Sequence, residues 1–329
     1  MTIDDKKINH LTDLLDYASL LYYDEKEATY LDCLSKVIES FLEDEPLPLE
    51  EETIEKMNET FNEIRKLECN QEELRKVFLL LSIKGFKHAN FSLDIITPDA
   101  VSIICSYFVE SLLKKVDKPK DIIQKYKRPI KGKYSILDIN YGTGNLALNI
   151  NNNLDLPIKF VGIESSNILA NYANNMNNFI DMDTIIYNQD ALSMIVPNVD
   201  LVVSDLASYD YEDELYESEL TKKGVKYFPY LAIEKHLKSG HDKTKYLYLI
   251  DFDFFEHEGS QEFKKILSEQ VSIKSLVVLP QSFFQGNPKA VLILDKVKKG
   301  STNIVSLPPL NDKDKFIDVI QEIKQQLEE

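Results

Sequence analysis

No apolar run in this chain approaches the roughly 18 residues that would cross a bilayer; the longest, such as Val77 to Ile83 and Ser275 to Leu279, fall far short. The opening, Met1 to His10, is too polar for a secretory signal. Both absences point to a cytoplasmic protein without membrane contact. Cysteine is scarce, with 3 in 329 residues. Cys33, Cys69 and Cys105 lie too far apart for a CxxC or a His-assisted metal set, so they read as buried free thiols. The five histidines (His10, His88, His236, His241, His257) form neither HxxxH nor HExxH, and no metal is expected. Basic charge is also short: 38 Lys+Arg face 55 Asp+Glu, a net of -17. At 43% hydrophobic and 28% charged, the composition excludes a disordered or fibrous chain. The length suits two domains, or one large domain with an appendage.

The acid is unevenly placed. Residues 1–90 carry 21 acidic and 11 basic side chains, a net of -10, and the remainder carries 34 against 27. Such a front repels nucleic-acid phosphates, whose binding needs Lys and Arg. One basic stretch runs against this trend, Lys114 to Lys133, and reads as a solvated helix end and linker.

Apolar residues recur at three and four from Ile3 to Leu81, with one stripe through Leu11, Leu14, Leu15 and Ala18 and another through Tyr30, Leu31, Leu34, Val37 and Ile38. That spacing predicts amphipathic helices, with breaks at Tyr23 to Glu25 and at Pro46 and Pro48, and a capped start at Asn70. Beyond residue 130, seven β-rich runs alternate with helical stretches: 135–139, 159–163, 184–187, 200–204, 245–251, 273–279 and 290–294. Alternation of this kind predicts an α/β fold, a Rossmann-like, mostly parallel sheet with helices on both faces. The last two strands lack a helix between them and are expected to form an antiparallel hairpin at the sheet edge. We therefore divide the chain into a helical domain, 1–90, and a sheet domain, 91–329, closed by a helix from Lys313 to Leu327.

The first strand runs into Leu137-Asp138-Ile139-Asn140-Tyr141-Gly142-Thr143-Gly144-Asn145, a strand, a glycine turn and a helix start. Gly142 and Gly144 let a ligand approach the backbone, and Asp138 can accept from an amine or hydroxyl. The third glycine of a dinucleotide fingerprint is replaced by Ala147, and a P-loop lysine is absent, which disfavours pyrophosphate. Glu164 ends the second strand, where an acid can hold ribose hydroxyls. Asp190 and Ala191 follow the third, where an adenine edge could sit.

These motifs resemble the class I S-adenosylmethionine-dependent methyltransferases, within them the N6-adenine methylases of type I restriction-modification systems, and best of all the YtxK-like family. The resemblance implies S-adenosylmethionine as cofactor, held by Thr97, Pro98, Asp138, Asn140, Gly142, Gly144, Asn145, Glu164, Ser165, Asp190 and Ala191. Thr97-Pro98 also reads as a helix cap with proline at the first helical position. The family's Asp-Pro-Pro-Tyr-type element falls on Asp205-Leu206-Ala207-Ser208-Tyr209-Asp210-Tyr211, without its proline. The resemblance implies that Asp205 orients an amine and that Tyr211 or Tyr209 lines the acceptor pocket, with DNA as partner. The acids from Asp210 to Glu219 are expected at the rim of that pocket, where they oppose phosphates. Three readings stay open: methylation of DNA adenine; methylation of RNA, a protein or a small molecule; and a cofactor-binding protein without catalysis that engages a protein partner or a second copy through its helical front.

Overall fold

The computed structural model describes residues 3–120, 122–123, 129–130, 132–213, 215–296 and 301–328. Lys125, Lys127, Arg128 and Lys131 of the basic stretch, with Asp121, and Glu214 of the acidic loop lie outside the described residues.

Four helices form the front: α1 (Asp5–Glu25), α2 (Tyr30–Glu43), α3 (Glu51–Ile64) and α4 (Gln71–His88). The Asn70 side chain accepts from the Glu72 and Glu73 amides, and Glu73 reaches back to the Asn70 amide, a capping box that sets the first turn of α4. The same Glu73 carboxylate accepts from the Asp4 amide at 2.9 Å and so ties the start of α1 to the start of α4. The expected break at Tyr23 to Glu25 falls at the end of α1, which stops at Glu25, with α2 starting at Tyr30. One expectation is corrected here. Helix α4 continues past Leu81 to His88, burying Phe86.

Next comes α5 (Asp99–Leu113), whose cap position is Pro98. The Thr97 hydroxyl does not cap it, being committed to Asp205. The stretch Leu93–Leu113 has a mean hydropathy of 1.4 and is long enough to cross a membrane by composition, yet 61% of it is buried inside the protein. A two-stranded ribbon, β1 (Ile122–Ile123) and β2 (Pro129–Ile130), follows. The sheet proper comprises β3 (Tyr134–Asp138), β4 (Ile158–Glu164), β5 (Thr184–Asn188), β6 (Val199–Asp205), β7 (Gly240–Asp251), β8 (Ser272–Val278), β9 (Lys289–Asp295) and β10 (Asn303–Ser306). Its order is β5-β4-β3-β6-β7-β9-β8-β10, parallel except for β9, which runs antiparallel to β7 and β8. The hairpin is therefore present but internal. An eighth strand, β10, pairs parallel with β8 beyond it; its half-exposed Asn-Ile-Val-Ser carries too weak a pattern to read from sequence.

Helices α6 (Asn145–Asn153), α7 (Asn167–Ile180) and α10 (Lys313–Glu328) join α5 and the front in one apolar core that includes Ile136, Phe160 and Leu201. Helices α8 (Phe228–His236) and α9 (Ser260–Gln270) cover the opposite face over Leu137, Val161 and Val202. Alternate strand residues thus feed alternate cores, as the pleat requires. The front is bonded to the sheet helices as well as packed on them: the Tyr172 hydroxyl donates to the Phe78 carbonyl at 3.1 Å, and the Asn175 amide donates to the Ser35 carbonyl at 3.1 Å. All three cysteines are free, with Cys33 and Cys105 buried and Cys69 only half-buried.

Candidate functional site

Asp138 closes β3 with 1% of its surface exposed. Its Oδ1 accepts from the Ser204 hydroxyl of β6 at 2.7 Å and from the Asn140 amide at 3.1 Å. Asp138 also lines a narrow notch with Thr97, Asn140 and Asn145. Burial pushes this carboxyl up to about 7, with the Ser204 and Asn140 bonds pulling the other way. The turn that follows needs its glycines: Gly142 has φ 56°, and Gly144 has φ 77° where a Cβ would stand 2.7 Å from the Tyr141 ring.

Glu164 ends β4, and each carboxylate oxygen accepts one backbone N–H, from Gly142 at 2.8 Å and from Ser166 at 2.7 Å. Each oxygen keeps a second acceptor site for a hydroxyl. Ser165 is exposed beside it, and its carbonyl accepts from the Asn188 amide. Asp190 forms a turn beyond β5, accepting from the Leu192 amide and from the Tyr211 hydroxyl. The carbonyl of Ala191 accepts from His236 Nε2 at 2.8 Å, and burial lowers that imidazole to about 4, which keeps it neutral. Asp138, Glu164 and Asp190 thus stand at the carboxyl ends of adjacent parallel strands, where open α/β sheets bind ligands.

Asp205, at the end of β6, is held on every side. Its Oδ2 accepts from the Thr97 hydroxyl at 2.8 Å, its Oδ1 from the Lys289 ammonium at 2.5 Å, and its backbone carbonyl from the Asn140 amide at 3.0 Å. Burial opposes the charge on Lys289, but Asp205, with Asp251 and Asp94 beyond it, outweighs burial and holds that ammonium above its ordinary pKa. The Thr97 carbonyl in turn accepts from Asn145. Behind it, Arg75 of α4, 2% exposed, donates to Asp99 at 2.8 Å and to Asn145 at 2.9 Å while pairing with Glu72 at 2.7 Å. The helical front therefore positions the starts of both α5 and α6.

Asp205 opens onto a cavity of about 660 Å³ lined by Asp94, Asp251, Lys289, Phe283 and Phe284 among others. Asp205, Thr97, Asn140 and Ile95 line this cavity and the notch at Asp138 alike. The two tyrosines of the Asp205 loop do not line it. Tyr209 stacks on Phe228 at 4.6 Å, Tyr211 bonds Asp190, and Asp210 bridges Tyr227. These three contacts draw the acidic loop away from the cavity expected beside it, and the acids at the cavity are Asp94, Asp99, Asp205 and Asp251 instead. Sequence reasoning missed Lys289, Phe283 and Phe284 as lining residues. Their signal was the helix-free Pro280 to Lys289 connection, with two aromatics and then a lysine opening a strand.

No family model matches the chain. It is 26% identical over 278 residues, 82% of this chain and 80% of the relative, to the uncharacterized protein YtxK of Bacillus subtilis (strain 168). A candidate class I S-adenosylmethionine-dependent methyltransferase from Listeria monocytogenes superposes with a TM-score of 0.82 at 24% identity, over 98% of this chain and 100% of that one. The fold is that of the class I S-adenosylmethionine-dependent methyltransferases. A type I restriction-modification methyltransferase subunit from Streptococcus thermophilus shares it at a TM-score of 0.62 and 15% identity, covering 99% of this chain and 75% of its own. In this methyltransferase fold the glycine turn, Glu164 and Asp190 occupy the carboxyl edge of β3, β4 and β5, and the extra strand β10 extends the opposite side of the sheet.

Proposed function

We propose that the protein is a methyltransferase that binds S-adenosylmethionine along the ends of β3, β4 and β5 and methylates a nitrogen in the Asp205 cavity. When bound, the cofactor supplies an electrophilic methyl group on a sulfonium. The residues present fit it: Asp138 turns a carboxylate to the notch where an ammonium would sit, Glu164 keeps acceptor capacity for two hydroxyls, and Asp190 and Ala191 flank the adenine position. Asn140, Gly142, Gly144, Asn145 and Ser165 shape the backbone around it. One observation carries the reading. Asp205, Thr97, Asn140 and Ile95 border both the notch and the cavity, so a cofactor in one and an acceptor in the other meet at Asp205.

There the chain's own groups do the positioning. Thr97 and Lys289 fix the Asp205 carboxylate, and an acceptor amine binds its remaining lone pairs or takes the place of the lysine. The Phe283 and Phe284 rings supply the apolar wall that Tyr209 and Tyr211 leave open. DNA adenine has weaker support, since four carboxylates, one of them paired with Arg75, and one ammonium at the cavity disfavour phosphates. A second reading, a cofactor-binding protein without catalysis, draws on the same saturation of Asp205. Calorimetry with S-adenosylhomocysteine, followed by incubation of methyl-labelled cofactor with lysate fractions, separates the two. We expect binding that Glu164→Ala weakens by about tenfold or more, with label in a fraction and none with Asp205→Ala. Binding without label in any fraction would favour the second reading, and no binding at millimolar ligand would sink both.

A further inference from the structure

Helices α5 and α10 lie side by side and are fastened at their C-terminal ends. Ser111 and Lys114 donate to one Glu328 oxygen at 3.1 and 2.7 Å, and Lys324 pairs with Glu110 at 2.8 Å. Between their earlier turns lies a second cavity, about 570 Å³, lined by Ala100, Ile103 and Tyr107 from α5 and by Phe316 and Ile317 from α10. Its walls are apolar, and they are left to water: Tyr107 is 46% exposed and Ile317 51%. Uncovered apolar surface that lines a concave site marks a place where a ligand gains by burial.

The groove and the Asp205 cavity share one lining residue. Phe283 borders both, with its ring edge-on to Phe316 at 6.3 Å. The two ends differ in chemistry. At the Asp205 end, Asp94, Asp205 and Asp251 face Lys289 alone among the described residues that line it, and the fourth acid there, Asp99, is already paired with Arg75. Excess negative charge at that end favours a protonated or hydrogen-donating nitrogen. At the α5–α10 end the lining residues with polar side chains are Gln321, Lys324, which is tied to Glu110, and the Tyr107 hydroxyl.

We propose that the methyl acceptor is an amphipathic small molecule, an amine that binds at Asp205, would yield a proton to that carboxylate to free its lone pair, and would take the methyl group as the methyl–sulfur bond breaks and the thioether S-adenosylhomocysteine leaves, its alkyl or aryl chain passing Phe283 into the α5–α10 groove. This rests on the methyltransferase reading above and names its substrate class. Phe283 then acts as the ruler of the site, with the head group fixed on one side and the chain selected on the other.

The test titrates the full chain with primary alkylamines from propylamine to octylamine, with and without S-adenosylhomocysteine, beside Ile317→Glu. Burying each methylene should tighten wild-type binding by about fourfold, and Ile317→Glu, checked for folding by its thermal melt, should flatten the series. A flat series in the wild type, or a slope unchanged by Ile317→Glu, overturns the proposal even if S-adenosylhomocysteine binds. Absence of S-adenosylhomocysteine binding overturns the methyltransferase reading itself, whatever the slope. A flat series together with a dimer in sedimentation that Ile317→Glu dissociates would assign the groove to a second copy, and would also overturn the proposal.

Discussion

Replacing Asp138 with asparagine should make the protein more stable at neutral and alkaline pH, by a margin that grows from about pH 4 and levels off above about pH 7. The folded carboxyl titrates at about 7, against about 3.9 in an unfolded chain. Between those values the native state holds a proton that the unfolded state has lost, so the stability this proton confers is complete below pH 4 and is lost as pH rises through 7. Three pH units at 1.36 kcal/mol each amount to about 4 kcal/mol in the wild type above pH 7, a large part of a typical 5 to 15 kcal/mol total. Asparagine can keep the Ser204 and Asn140 bonds through its carbonyl oxygen and has no charge to bury. Urea denaturation of both proteins at pH 5 and pH 8 measures the difference, from which the titration of His236 cancels. The stability gap should widen by about 3 kcal/mol between the two pH values. A gap independent of pH would show that Asp138 is ionised throughout and that its burial has been misjudged. An ammonium placed at this carboxylate favours the ionised form, so the wild type should release a proton on binding S-adenosylhomocysteine near pH 6, and the variant should lose both proton release and most affinity.

Arg75→Met should cost about 3 kcal/mol of stability, the low end for breaking a buried charge pair because Asp99 and Glu72 keep some access to water; it should also weaken S-adenosylhomocysteine binding, and urea denaturation with calorimetry measures both. Gly142→Ala forces a side chain to φ 56°, which should cost about 1 to 2 kcal/mol and loosen the cofactor turn; an unchanged melting temperature would contradict the strain. Duplex DNA should bind weakly in fluorescence anisotropy at physiological salt. Submicromolar binding, with a log–log salt slope of about -0.9 per phosphate engaged, would return nucleic acid to the site.

The sheet was legible because its strands are rich in apolar and β-branched residues and bounded by turns, so each of the seven expected runs lies within one residue or so of a strand. The strand β10 was not, since its alternate residues face water and its four positions carry no apolar run. The glycine turn and its acids were visible as chemistry held in consecutive residues. Lys289 was invisible as a partner for Asp205 because 84 residues separate them, and only the placement of β9 beside β7 brings the lysine over the end of β6. The fate of Tyr209 and Tyr211 was likewise undecidable locally. Phe228 and Asp190, residues from two other segments, compete for them and win.

Arg75 gives the helical front a stake in ligand binding. Its guanidinium belongs to α4, yet it holds the first residue of α5 and the first residue of α6, and through Asn145 it reaches the Thr97 carbonyl and the threonine that steadies Asp205. A border drawn at residue 90 runs across this chain of bonds. Occupancy of the site should therefore slow hydrogen exchange in α4, and anything that grips the front from outside should be felt as a change in ligand affinity, by the reciprocity that linkage imposes on any two coupled equilibria.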